Sequence, residues 1–396
     1  MFYHLFVDPG PLAEVLPGTN VFRYISFRTA WGLISALVLA YLVFPPFIAW
    51  MKQQKMNQII RTDGPESHLL NKVGTPTMGG VCILFGILVS TLLWGRFDAP
   101  APAAAGTLLY GMGDGFLARV LRSQVGMVLI VMLGYGGIGL YDDWKKVMYQ
   151  SADGLAGRWK LVLQTAIGGG VVAWAYATGV VDATLPFPFV KQGAIDLAHL
   201  WDGAPPQLGW IYVAFALFLL VGASNAVNLT DGLDGLAIGP VMTSAATYGV
   251  LGYLGGNTKF AEYLGIAYVS GAGELTVLSF AIVGAGLGFL WYNAYPAQVF
   301  MGDVGSLSLG GTLAALAVFT KHEILLAIVG GIFVLETLSV IIQVVSFKTT
   351  GKRVFAMAPI HHHYEKKGWS EPKIIVRFWI LSIILALVAL STLKLR

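Results

Sequence analysis

The sequence predicts an all-α polytopic membrane protein of about ten transmembrane helices, a single domain over residues 1–396, and three observations predict it. Of the 396 residues, 56% are hydrophobic and only 12% charged, against roughly 25% charged in a soluble globular domain. Too few charges are left to cover a water-soluble surface of this size. The apolar residues come in long blocks, and about 20 residues of helix cross the hydrocarbon core of a bilayer. Glycine recurs inside the blocks, as at Gly134, Gly136, Gly137 and Gly139 and again at Gly284, Gly286 and Gly288. Small residues let membrane helices approach closely, so these glycines are read as packing positions.

Taken in order, the blocks place helices near 26–50, 77–95, 123–141, 160–180, 208–226, 236–256, 274–293, 305–320, 323–347 and 373–393. Residues 1–24 carry prolines and acids ahead of the first block, which is not the basic-then-apolar pattern of a cleaved signal peptide. The connections fall alternately on two faces. Segments 51–76, 142–160 and 348–377 of one face hold 15 of the 25 Lys and Arg. Lysine and arginine are retained on the cytoplasmic side, so this face is expected to be cytoplasmic and both termini periplasmic. The net charge of +4 fits that bias and does not point to nucleic acid. Loop 97–118 reads as an Ala/Pro/Gly-rich spacer, and 181–207, with Pro186, Phe187, Pro188 and Phe189, as a hairpin. The lone cysteine, Cys82, lies in an apolar block and reads as a packing residue.

Chemistry-bearing residues gather on the cytoplasmic face. Asp142 and Asp143 close the third block ahead of Lys145 and Lys146. Adjacent carboxylates at a helix C-terminus repel each other and oppose the helix dipole. They call for a metal, a lysine partner or a catalytic use, unless they simply open a solvated loop. Asn228, Asp231 and Asp234 are spaced by three and share one face if the segment is helical. Their spacing does not fit an EF-hand, and the sequon Asn228-Leu-Thr is a chance match on that face. Asp303, between glycines at the start of the eighth block, could cap the helix or bind Mg²⁺ with substrate phosphates.

His361, His362 and His363 are too closely spaced to converge on zinc. Near Lys352, Arg353, Lys366 and Lys367 they suit phosphate, or else a surface loop against anionic lipid. Lys72 to Gly80 leads into the second helix with small and hydroxyl residues that suit an anion, without the order of a Walker loop. Glu336, inside the ninth block, is the main candidate for a mid-membrane transport acid, or else an acid paired within the bundle.

Together KVGTPTMGG at 72–80, Asp142-Asp143, NLTDGLDGL at 228–236, FMGD at 300–303 and PIHHHYEKKGW at 359–369 resemble the phospho-N-acetylmuramoyl-pentapeptide transferases. These are a branch of the polyprenyl-phosphate N-acetylhexosamine-1-phosphate transferase superfamily. The resemblance runs from about 26 to 393, and the histidine motif and GTPTMGG favour this branch over a sister enzyme using UDP-N-acetylglucosamine. It departs at His68, which stands one residue further from Lys72 than the pattern has it, and in the length of loop 97–118.

The resemblance implies transfer of phospho-N-acetylmuramoyl-pentapeptide from its UDP derivative to undecaprenyl phosphate, giving lipid I and UMP. It implies Mg²⁺, a homodimer, and a multi-pass place in the bacterial inner membrane. By residue it implies Asp303 as the metal ligand and Asp142 as the group that activates the lipid phosphate. Asp143 would orient Asp142 or assist the metal, and a two-step route through a phosphorylated aspartate stays open. Lys72, Lys146, Asn228, Asp231, Asp234, Asn293 and Phe300 match substrate-binding positions, with Phe300 able to stack on uracil and His361, His362 and His363 at the pyrophosphate or sugar.

Overall fold

In a computed structural model, described over residues 1–7, 19–54, 56, 74–97, 115–149, 154–190, 193–200 and 205–394, helices occupy all ten expected positions. They are α1 (Ile25–Gln53), α2 (Gly80–Trp94), α3 (Gln124–Met148), α4 (Gly157–Ala177) and α5 (Trp210–Thr230). The remaining five are α6 (Ile238–Gly255), α7 (Ala272–Asn293), α8 (Gly302–Phe319), α9 (Gly331–Thr350) and α10 (Glu371–Ser391). Seven of them (α1, α3, α5, α7, α8, α9 and α10) are long and apolar enough to cross a membrane, and α2 is a shorter apolar helix. Lys72 and loop segment 98–114 lie outside the described residues.

The bundle is built around α8. Every residue from Val304 to Phe319 is buried, and the helix packs chiefly on α3 and α5, with α2 and α6 beside it. Its run of Gly, Ser, Ala and Thr makes this possible, because thin side chains let neighbouring backbones close in. Gly139 of α3 shows the limit: a Cβ there would stand 2.2 Å from the carbonyl oxygen of Asp303. Around this centre, α1 packs along α7 and α6 along α7. The outward faces of α1, α9 and α10 expose Leu42, Ile341 and Leu387, apolar surface that suits lipid rather than water.

Several ends differ from the apolar blocks. α3 was expected to stop at 141 but runs on to Met148, because Asp142 pairs with Lys146 one turn later and the helix outlasts its apolar stretch. α5 likewise continues to Thr230 and α8 begins earlier, at Gly302. α9 starts later than expected, after a buried Lys321-His322-Glu323 corner and a short helix, Leu326–Val329. The loop between α4 and α5 does form a hairpin, β1 (Thr184–Pro186) antiparallel to β2 (Ala194–Asp196).

Candidate active site

Three helix ends meet at one place. α3 brings Asp142 and Asp143 in its last two turns, α4 brings Lys160 in its first turn, and α8 brings Asp303 in its first turn. The carboxylates of Asp142, Asp143 and Asp303 offer oxygens within 4.8 Å of one another. Asp142 and Asp143 are buried rather than set on a solvated loop, so the bland reading of the pair falls.

Two ammonium groups hold the acids together. Lys146 Nζ lies 2.6 Å from Asp142 Oδ2, 3.2 Å from Asp303 Oδ2 and 3.7 Å from Asp143 Oδ1. Lys160 Nζ lies 2.7 Å from Asp303 Oδ2 and 3.0 Å from Asp142 Oδ2. Lys160 was not among the sequence candidates. It sits 17 positions beyond Asp143 across a loop and is indistinguishable in sequence from a lysine retained at the membrane face.

Backbone groups complete the frame. Leu155 N–H donates to Asp142 Oδ1 at 2.5 Å, and Val304 N–H donates to Asp143 Oδ2 at 3.2 Å. Asp303 is not a helix cap: it lies inside the first turn of α8, and its other oxygen accepts from Asn228 Nδ2 at 2.9 Å. Gly302, at φ +74°, makes the turn that delivers it, where a Cβ would sit 2.4 Å from Asp143 Oδ2.

The condition under which Asn228, Asp231 and Asp234 would share one helix face is not met. α5 ends at Thr230, and Gly232 and Gly235 carry a non-helical turn in which Gly235 has φ +79°. Asn228 reaches the acid cluster. Asp234 is buried and accepts from Ala297 N–H at 3.0 Å, and Asp231 is half-buried at the helix end. Asn293 is also buried and donates to the Val299 carbonyl at 2.8 Å. Asp234 and Asn293 thus brace loop 294–301.

That loop in turn grips the start of α2. Phe300 N–H donates to Pro76 O, Gly79 N–H to Phe300 O and Gly80 N–H to Met301 O, each at 2.8 Å. Residues 76–80 of the expected anion loop are therefore fixed beside Asp303.

The three histidines lie on a short helix, Ile360–Lys366, rather than in a loop. An apolar cluster of Leu233, Leu236, Ile332, Ile374, Ile375 and Phe378 ties this neighbourhood to the 231–237 turn, α9 and α10. His361 packs against that turn: a Cβ on Gly232 would come 2.4 Å from its Nε2.

Comparison with known proteins settles the family. Residues 125–321 match the model for glycosyl transferase family 4. A phospho-N-acetylmuramoyl-pentapeptide-transferase of Syntrophus aciditrophicus is 52% identical over 397 residues, covering 100% of both chains. One from Citrifermentans bemidjiense is 52% identical over 396 residues, again covering 100% of both. The chain belongs to the phospho-N-acetylmuramoyl-pentapeptide transferase family. A further relative with the same name, from Rhodopseudomonas palustris, is 50% identical over 388 residues, 97% of this chain and 98% of its own. Within this transferase, the family-model match spans α3 to α8 and takes in the whole acid cluster. The histidine helix lies beyond it, in the stretch shared with the full-length relatives.

Proposed function

We infer that this transferase moves phospho-N-acetylmuramoyl-pentapeptide from UDP-N-acetylmuramoyl-pentapeptide to undecaprenyl phosphate, producing lipid I and UMP for peptidoglycan synthesis. The observation that carries the reading is the buried cluster of Asp142, Asp143 and Asp303 with Lys146 and Lys160. It lies where three helices end, a placement that suits a reaction between a lipid headgroup and a water-borne nucleotide.

The donor set suits a magnesium ion. Three carboxylates face two lysines, which leaves an excess of negative charge, and carboxylate oxygens are the ligands Mg²⁺ takes. We assign Asp303 as its ligand, with Asp143 alongside. When bound, the ion would neutralise charge at the pyrophosphate and on the departing UMP.

The chain's own groups account for the rest. An oxygen of the lipid phosphate attacks the phosphorus nearest the sugar. A new P–O bond forms there, and the P–O bond to UMP breaks. Such a reaction depends on positioning and charge neutralisation. Lys146 and Lys160 stand where negative charge collects. Asp142 receives the proton of a monoanionic lipid phosphate, or positions the dianion that dominates above a second phosphate pKa of about 6. Asn228, Asp231, Asp234, Asn293, Phe300 and the three histidines are assigned to the nucleotide and sugar, with Lys72. Asn228 orients Asp303, while Asp234 and Asn293 act through the loop that carries Phe300.

The finer architecture is proposed with the same reading. All ten helices span the bacterial inner membrane, both termini are periplasmic, the acid cluster faces the cytoplasm, the chain is one domain and two copies form the working unit. The lysine and arginine bias supports the orientation.

The test is UMP release by purified protein supplied with undecaprenyl phosphate, UDP-N-acetylmuramoyl-pentapeptide and Mg²⁺. Release should stop on chelation, and Asp303→Ala should lower it by roughly a thousandfold while the protein stays folded and extractable. Release with UDP-N-acetylglucosamine instead would move the chain to the sister branch. Chelator-insensitive release would remove the metal from the reading.

A further inference from the structure

Glu336 lies inside α9 with no exposed surface. Among the described residues its carboxylate accepts no hydrogen bond, and the group that faces it is the His361 imidazole, whose Nδ1 stands 3.1 Å from Oε1. His361 is equally buried, and among the described residues neither ring nitrogen has a hydrogen-bond partner. A lone carboxylate in a dry interior is costly and is held by a proton or a cation. An imidazole at 3.1 Å supplies either, which makes the two side chains one unit.

The other two histidines are also committed at Nδ1. His362 Nδ1 pairs with Glu365 Oε2 at 2.6 Å, and His363 Nδ1 accepts from Ala356 N–H at 3.0 Å. The partner of one ring nitrogen sets the tautomer and aim of the other. For His361 the other nitrogen is Nε2, which abuts Gly232 in the turn carrying Asp231 and Asp234. α9 secures the histidine segment a second time, two turns further on. Gln343 Oε1 accepts from Val354 N–H at 3.0 Å and Phe355 N–H at 2.9 Å, while its Nε2 donates to Phe355 O at 3.1 Å.

We propose that Glu336 is a positioning residue of the transferase: it holds His361 with the proton on Nδ1 and fixes Nε2 against the Gly232 turn, where the nucleotide is handled. This rests on the functional reading above. It gives Glu336 a part in turnover from inside the bundle, without contact to either substrate.

The experiment compares wild type, Glu336→Gln, His361→Asn and the double variant. It reads steady-state UMP release against each substrate and the apparent melting temperature in detergent. Glu336→Gln keeps the shape and should lower kcat/KM for the nucleotide substrate by roughly ten- to a hundredfold, the size of loss seen when a metal-bound histidine loses the partner that orients it. KM for undecaprenyl phosphate should hold. On the His361→Asn background the second change should cost almost nothing, because Glu336 acts through that ring.

Equal kinetics for Glu336→Gln and wild type would overturn the proposal. So would additive losses, or losses at both substrates that track a lowered melting temperature. Should Glu336→Gln not be extractable, Glu336→Asp decides: it keeps the charge but withdraws it by one methylene. A folded protein with reduced nucleotide kcat/KM supports the pairing, and unchanged kinetics sinks it. Wild type that released no UMP would count against the functional reading, not against the pairing alone.

Discussion

At the scale of single residues, Asp142 makes the sharpest test of chemistry. Its Oδ1 accepts from Leu155 N–H, and its Oδ2 faces Lys146 and Lys160. Asp142→Asn can keep the first contact but turns an amide toward two ammonium groups. If Asp142 takes a proton from the lipid phosphate, the variant's deficit should widen below pH 6, where the monoanion gains, and narrow above it. A pH–rate series with a constant ratio to wild type would leave Asp142 a positioning role only. Lys160→Ala is the companion experiment. It leaves Asp142 and Asp303 sharing Lys146 alone, and removal of a preorganised charge at a phosphoryl-transfer site costs roughly a hundredfold in kcat. A variant within twofold of wild type would show that Lys146 neutralises the cluster unaided. Lys160 also marks where residue-level reading of the sequence stops. Asp142, Asp143, Lys146 and Asp303 announce themselves by acid pairs and glycines, whereas Lys160 acquires its meaning only when α4 folds back beside α3.

At the scale of elements, helix positions were legible because lipid forces each span to satisfy its backbone within itself, leaving long apolar blocks. Helix ends were not, because they lie where lipid no longer dictates. α3 passes its apolar limit to carry Asp142 and Lys146 in register. In the 228–234 segment, whose polar residues would share one face only in a helix, the helix stops short of Asp231 because the turn runs through Gly232 and a left-handed Gly235. The histidine segment hides a helix of seven residues, too short for periodicity to declare. What joins these pieces is close packing of α3 on α8, and Gly139 makes it testable. Its absent Cβ would stand 2.2 Å from Asp303 O, a backbone atom with little room to yield. Gly139→Ala should therefore cost about 1–3 kcal/mol by overpacking and shift Asp303 against Asp142. Thermal melting and UMP release should fall together. A variant with normal melting and normal turnover would mean that α8 moves aside freely, against its burial on every face.

At the scale of the whole molecule, the two ends of the bundle carry opposite kinds of polar chemistry. At the acid-cluster end, charges converge on a site partly open to solvent. At the far end Lys321, at 4% exposure, is locked between Glu323 at 3.2 Å and Asp182 at 3.1 Å, and lies over the Tyr212 ring at 4.2 Å. Burial pushes the Glu323 carboxyl above its ordinary range despite Lys321 and the Tyr212 hydroxyl. That corner therefore reads as a clasp between the hairpin, α5 and the turn before α9, while the proposed exchange with substrates belongs to the other end. The sidedness this implies can be measured, because Cys82 is the only cysteine and is buried. Tyr149, 70% exposed, follows α3 at the acid-cluster end, and Tyr268, 52% exposed, lies between α6 and α7 at the other. In intact cells a membrane-impermeant maleimide should label Tyr268→Cys and spare Tyr149→Cys, with both labelled once the membrane is opened. The lysine bias predicts this pattern, and so does the chemistry, since a UDP-linked substrate and UMP belong to the cytoplasm. The reverse pattern would place the acid cluster outside and leave it without its nucleotide, which would undo the proposed orientation and force the entry of substrate to be explained anew.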